Sequence, residues 1–166
     1  MLKEMDAQTV NTKEAEYDAL NTKSAEDVLQ WASETFSDRG ALMSSFGLED
    51  VVLIDMMAKI NPKARIITLD TGRLNQETYD VMDKIRDKYG VSIEVMFPDA
   101  EKVQAMVRTK GMNLFYHSLE NRKECCRIRK VDILNRSLAD LDAWITGLRR
   151  AQVVTRTETK KVEIDH

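Results

Sequence analysis

Between residues 25 and 146, short apolar runs alternate with longer stretches whose apolar residues recur at helical spacing. This alternation constrains the fold more than any other feature of the chain. Ala41–Ser45, Arg65–Leu69, Val91–Phe97 and Ala143–Thr146 have the length and apolar character of strands. Leu48–Ile60 is so apolar that it must be covered on several sides, through Val51, Val52, Leu53, Ile54, Met56, Met57 and Ile60. Asn75–Tyr89 carries Tyr79, Met82, Ile85 and Tyr89 on one stripe, and Ala100–Thr109 carries Val103, Met106 and Val107. A leading helix comes after the capping pair Ser24 and Asp27, with Ala25, Val28, Leu29, Ala32 and Phe36 facing one way. Short connections between such elements predict an α/β fold, a parallel sheet sandwiched by helices.

Punctuation supports these boundaries. Asn61-Pro62 stops one helix, Gly90 caps the next, and Pro98 ends a strand. Lys110–Glu120 reads as loop or short turns, Cys125–Leu138 as helix through Ile128, Val131, Ile133, Leu134 and Leu138, and Val162–His166 as the start of a further strand. Residues 1–23 form a polar lead, and residues 24–166 form one domain, as expected for 166 residues.

Charge narrows the partners. The net charge is −3, which argues against nucleic acid as the ligand. Residues 1–120 hold 14 basic and 21 acidic side chains, whereas residues 121–161 hold 11 basic and 5 acidic. A cationic segment on an acidic body suggests a local anionic ligand. No run approaches a membrane span, and the N-terminus has no apolar core of a signal peptide. Two cysteines and nine methionines fit a reducing cytoplasm.

In a parallel sheet, ligands sit beyond the carboxyl ends of the strands, at a switch point. Three loops occupy such positions. Ser44-Ser45-Phe46-Gly47 precedes a helix whose free N–H groups could meet a phosphate, although Glu49-Asp50 also fit an ordinary capped turn. Leu69-Asp70-Thr71-Gly72-Arg73 offers a tight turn and a cation within reach of an anion. Gly147 is followed by Arg149 and Arg150, with Arg156 beyond, and arginine forks recognise phosphate or sulfate oxygens in pairs. Arg122–Lys130 is the densest basic run and holds both cysteines, Cys125 and Cys126. Thiolates beside Arg and Lys are stabilised as anions, better ligands and better nucleophiles. The plain alternative is a solvated basic helix with two incidental thiols. His117 carries no assigned role.

Taken together and in this order, the four segments resemble the assimilatory adenylyl-sulfate (APS) reductases, relatives of the phosphoadenylyl-sulfate reductases. The similarity runs from about Ala25 to the end. It implies an adenine-nucleotide α-hydrolase-like fold. It also implies reduction of adenylyl sulfate to sulfite and AMP, with thioredoxin as electron donor. By resemblance, Ser44, Ser45, Phe46 and Gly47 form the modified phosphate loop. Leu69, Asp70, Thr71 and Gly72 lie along adenosine, with Gly147 close by. Cys125 and Cys126 are two ligands of a [4Fe–4S] cluster, Lys130 stands between cluster and phosphosulfate, and Arg149, Arg150 and Arg156 line the anion site. The cysteine pair favours APS over its 3′-phosphorylated form.

The chain departs from the family in its cysteines. The family's second pair, spaced Cys-x-x-Cys, and its nucleophilic cysteine near Glu-Cys-Gly-Leu-His have no counterpart in this sequence. The expectation is a chain truncated at its C-terminus, with a nucleotide-binding sheet, a doubtful cluster and no turnover alone. An open sheet edge would invite self-association. Two other readings stay open. One is an ATP pyrophosphatase-like protein, although Phe46 stands near where its loop would carry a second glycine. The other is a non-catalytic partner protein whose Arg/Cys segment binds metal or another subunit.

Overall fold

In a computed structural model of the chain, residues 15–148 and 159–165 are described. Four strands form one parallel sheet: β1 (Gly40–Met43), β2 (Arg65–Leu69), β3 (Ile93–Met96) and β4 (Ala143–Thr146). Their order is β3-β2-β1-β4. The chain steps outward from β1 through β2 to β3, then returns to pair β4 with the other side of β1. The direction of progression therefore reverses between β1 and β4, which makes their carboxyl ends the switch point of the sheet. Register is defined by pairs such as Leu42 with Ile66 and Met43 with Thr146.

Helices cover both faces, as parallel strands with continuous apolar runs require. On one face lie α1 (Ala25–Phe36), α2 (Leu48–Ile60) and α3 (Gln76–Tyr89). They bury Leu29, Ile54, Met57, Met82 and Ile85 against Leu42 and Ile66. The opposite face of the sheet presents Ala41, Met43 and Ile67 to Leu134 and Leu141. The connection from β3 to β4 supplies that second layer through α4 (Ala100–Lys110), α5 (Leu119–Cys126) and α6 (Asp132–Leu138). A smaller cluster of Met106, Leu114, Cys125 and Ile128 holds this layer together.

Local signals account for the boundaries. Ser24 and Asp27 form a reciprocal capping box at the start of α1. Gly90 ends α3 in the left-handed conformation, at φ 64°. Asp99 caps α4 by accepting from the Lys102 amide.

The loop or short turns expected over Lys110–Glu120 are a 3₁₀ turn, Leu114–Tyr116, and the Ser118 cap before α5. Three expectations need correction. Leu48 and Val52 stay exposed, so α2 is covered over less of its circumference than its apolar content predicts. The helix expected over Cys125–Leu138 begins earlier and is interrupted by a π-helical turn, Arg127–Val131. Residues 162–165 are not a strand; the segment instead returns to residues 17–23, where Asn21 Nδ2 donates to Val162 O and Lys160 pairs with Asp18.

The amino ends of the strands are closed by charge and packing. Arg39 makes a two-pronged contact with Asp142 at 2.6 and 2.8 Å, which ties β1 to the entry of β4. A cavity of about 20 Å³ lies there, lined by Phe36, Gly40, Met57 and Asn61. That is room for one water molecule. The functional loops lie at the opposite ends of the same strands.

Candidate functional site

The site is built where β1, β2 and β4 end. At the end of β1, Ser44 is buried and donates its amide to Ile67 O at 2.9 Å, continuing the ladder into the loop. Its Oγ accepts from the Phe46 amide at 3.0 Å. This contact turns the chain sharply, and Phe46 takes φ 59°, a conformation uncommon for a non-glycine residue. Packing compensates: the Phe46 ring is buried in the main core. Gly47 then opens α2 without a side-chain cap.

Asp50, in the first turn of α2, ties two of the strand-end loops together. It is buried at 6 % exposure. Its Oδ2 accepts from the Ser45 amide at 2.6 Å and from Ser45 Oγ at 2.8 Å. Its Oδ1 accepts from the Gly147 amide at 3.1 Å. One carboxylate therefore joins the loop after β1 to the loop after β4. A side chain at position 147 would collide with Asp50, because a Cβ there would stand 3.0 Å from the Asp50 amide and closer still to Oδ1. Glycine is required by that approach.

The same geometry limits what the first loop can offer an anion. The amides of Ser44, Ser45 and Phe46 are all engaged within the protein. The first turn of α2 that follows carries the acidic Glu49 and Asp50. Such a loop suits a single oxygen or a hydroxyl better than a pyrophosphate.

At the end of β2, Asp70 is buried and donates its amide to Met96 O. Its Oδ1 accepts from the Gly72 amide at 2.7 Å, closing an Asx turn. Its Oδ2 accepts from Tyr79 Oη at 2.9 Å, which anchors the turn to α3. The hydrogen bond to this carboxylate raises the Tyr79 phenol above its ordinary range. Thr71 is half-buried, and Gly72 is exposed at φ 70°. Arg73 turns away from the loop: it donates to Met112 O and Asn113 Oδ1 at 3.1 Å and lies 4.7 Å over the Phe115 ring. It pins the 3₁₀ turn rather than facing an anion.

The cationic segment approaches from above β2. Cys125 is buried among Met106, Leu114 and Ile128, while Cys126 is exposed. Consecutive helical residues diverge by about 100°, so the thiols do not share a face. Among the described residues no three His, Cys, Asp or Glu side chains come together as a metal site. A cubane cluster takes four thiolates, and the sequence contains two cysteines, so this chain by itself does not fit one. Lys130 is exposed, on the π turn next to the cysteines. Leu69 ends β2, Gly47 and Gly147 follow β1 and β4, and Ser45, Gly47 and Gly72 are exposed. Arg149, Arg150 and Arg156 lie outside the described residues.

Sequence reasoning missed two participants. Asp50 looked like a dipole-complementing residue, and nothing local announced its partner 97 positions away. Arg129 looked like one more member of a basic run. It is 7 % exposed, and its Nη1 donates to Thr71 O at 2.7 Å, against Gly72.

Comparison with known proteins finds relatives over most of the chain. Residues 39–166 match the phosphoadenosine phosphosulfate reductase domain family. The adenosine 5'-phosphosulfate reductase of Pseudomonas aeruginosa (strain LESB58) is 44 % identical over 149 residues, 89 % of this chain and 54 % of its own length. The chloroplastic 5'-adenylylsulfate reductase 3 of Arabidopsis thaliana is 46 % identical over 147 residues, 88 % of this chain and 31 % of its own. The chain thus spans from under a third to just over half of these relatives. Among solved structures, a phosphoadenylyl-sulfate (PAPS) reductase from Candida auris, in a phosphate complex, superposes with TM-score 0.69 at 26 % identity, covering 82 % of this chain and 68 % of its own. An NH3-dependent NAD synthetase from Campylobacter jejuni superposes with TM-score 0.53 at 10 % identity, covering 82 % of this chain and 58 % of its own, and shares the fold alone.

Proposed function

The chain belongs to the phosphoadenosine phosphosulfate reductase domain family, and on that premise we propose that it forms the adenylyl-sulfate-binding part of a reductase of sulfate assimilation. The observation that supports this reading is the Asp50 carboxylate joining the loops after β1 and β4 at their switch point, with Arg129 holding the Thr71–Gly72 turn after neighbouring β2. Relatives at 44 % and 46 % identity are named for the 5′-phosphosulfate, which favours adenylyl sulfate over the 3′-phosphorylated nucleotide.

In the proposed reaction a cysteine thiolate attacks the sulfur of adenylyl sulfate. An S–S bond forms, the S–O bond to the phosphate breaks, and AMP leaves with the electron pair. A dithiol, thioredoxin by proposal, then attacks the cysteine sulfur. Sulfite leaves and a mixed disulfide forms; the second thiol then attacks that bond, which frees the cysteine thiolate, leaves the dithiol oxidised to a disulfide and releases two protons. Neither Cys125 nor Cys126 is assigned the attacking role.

This chain's own residues bind and orient. Leu69, Asp70, Thr71 and Gly72 form the platform for adenosine, with Gly147 opposite. Ser44, Ser45, Phe46 and Gly47 give the short loop at the head of α2. Lys130, with Arg149, Arg150 and Arg156, neutralises the phosphosulfate, whose charge would otherwise oppose approach of a thiolate. Cys125 and Cys126 would be two of the four thiolates of a [4Fe–4S] cluster only if both turned to one side and two further thiolates joined them. Two unpaired thiols fit the proposed cytoplasmic setting.

Calorimetric titration of the full chain with adenylyl sulfate, its 3′-phosphorylated form and ATP tests the proposal. Adenylyl sulfate should bind tightest. Preference for ATP would favour the pyrophosphatase-like reading instead.

A further inference from the structure

Asp70 is 5 % exposed, and both of its carboxylate oxygens are engaged. Oδ1 accepts from the Gly72 amide at 2.7 Å, and Oδ2 accepts from Tyr79 Oη at 2.9 Å. The last torsion of an aspartate side chain is broad, so a carboxylate held at one oxygen alone can swing. Held at both, it has one orientation. The Tyr79 hydroxyl therefore sets where Oδ1 stands, and through Oδ1 it holds the Gly72 amide, in a turn where Gly72 sits at φ 70°.

The ring that carries this hydroxyl is itself fixed. Tyr79 is half-buried, and both it and Leu74 pack against the main core. Asn75 is the N-cap of α3, so Leu74 and Tyr79 occupy the N′ and N4 positions of a hydrophobic staple, the pair that sets the angle at which a chain enters its helix. The hydrogen bond to Asp70 raises the phenol above its ordinary range, so Tyr79 stays a donor at neutral pH.

We propose that the Tyr79 hydroxyl is a positioning group for the nucleotide site: it acts through Asp70, whose fixed carboxylate gives the Thr71–Gly72 turn the shape that receives adenosine. This rests on the adenylyl-sulfate reading above and adds a residue of α3 that governs affinity without belonging to the strand-end loops.

The test is Tyr79→Phe, which removes one oxygen atom and keeps the ring. At a temperature where the variant is fully folded, its affinities for adenosine and for adenylyl sulfate should fall by the same factor, about threefold to tenfold, the worth of one hydrogen bond. The Gly72 amide should exchange faster, while Ser45 and Gly147 exchange as in wild type. Asp70→Asn should cost less affinity in Tyr79→Phe than in wild type, because the two residues act through one contact. Unchanged affinity for both ligands would overturn the proposal, leaving Tyr79 as a brace for α3; so would a loss confined to adenylyl sulfate. Should wild type bind neither ligand, the adenylyl-sulfate reading itself fails, a result read from wild type alone and separable from the others. If Tyr79→Phe does not fold, wild type decides. Saturating adenosine should slow exchange at Gly72 and shift the Tyr79 ring resonances, and no change at either would overturn the proposal.

Discussion

The carboxylate of Asp50 accepts hydrogen bonds from Ser45 on one side and from the Gly147 amide on the other. Two strand-end loops that lie far apart in sequence are therefore tied to one carboxylate. Position 147 has no space for a side chain as long as Asp50 stays where it is.

Gly147→Ala should destabilise the chain by about 1–3 kcal/mol, the usual range for overpacking a filled site. The Cβ meets backbone as well as the Asp50 side chain, so rotamer change alone does not relieve it. Denaturant unfolding measures the loss, and nucleotide affinity should fall with it.

Asp50→Ala leaves the Ser45 and Gly147 amides without their acceptor. These donors are only partly buried and water can replace the lost acceptor, so the cost should be about 1 kcal/mol, the net worth of an ordinary hydrogen bond. Hydrogen exchange should quicken at Ser45 and Gly147 together, because one group protects both. Faster exchange at only one of them would show that the loops are independent.

Arg73→Ala should loosen the Leu114–Tyr116 turn, by about 1 kcal/mol for a lost cation–π contact and its hydrogen bonds. Exchange at Met112–Tyr116 should rise. Adenylyl sulfate affinity should stay within about threefold, under 1 kcal/mol by the affinity relation, since the guanidinium already serves Met112, Asn113 and Phe115. A large loss of affinity would return Arg73 to the anion site.

Arg65 holds the Glu94 carboxyl below the usual glutamate range, through two hydrogen bonds at 2.8 Å across β2 and β3. A carboxyl depressed in the folded state stabilises above its unfolded pKa, and that contribution fades as pH falls through the folded value. Wild type should therefore lose stability on acidification below the ordinary glutamate range. Glu94→Gln should show a smaller loss over the same interval. Parallel acid limbs for the two proteins would contradict this.

Much of the architecture was legible because local rules and tertiary packing agree here. The Arg65–Leu69 and Ala143–Thr146 strands and the Leu48–Ile60 helix have the predicted ends, and Ser24, Asp27 and Gly90 do what their chemistry suggests. What failed was information carried across the chain. A π turn has no sequence signature in Arg127–Val131, and without it Arg129 and Lys130 look alike, although one is buried and the other exposed. Arg73 had the spacing of an anion ligand, and only the position of Phe115 shows that its charge is already engaged. Val162 looked like a strand, but that segment bonds to Asn21 rather than to the sheet.

The most direct measurement is an amide chemical-shift map of the full chain titrated with adenylyl sulfate. Ser45, Gly47, Thr71, Gly72 and Gly147 should move together on one binding curve, while Arg39, Arg65 and Asp142 at the other ends of the strands stay still. Shifts centred on Arg39 and Asp142, or none at saturating nucleotide, would contradict a nucleotide site at the β1/β4 switch point.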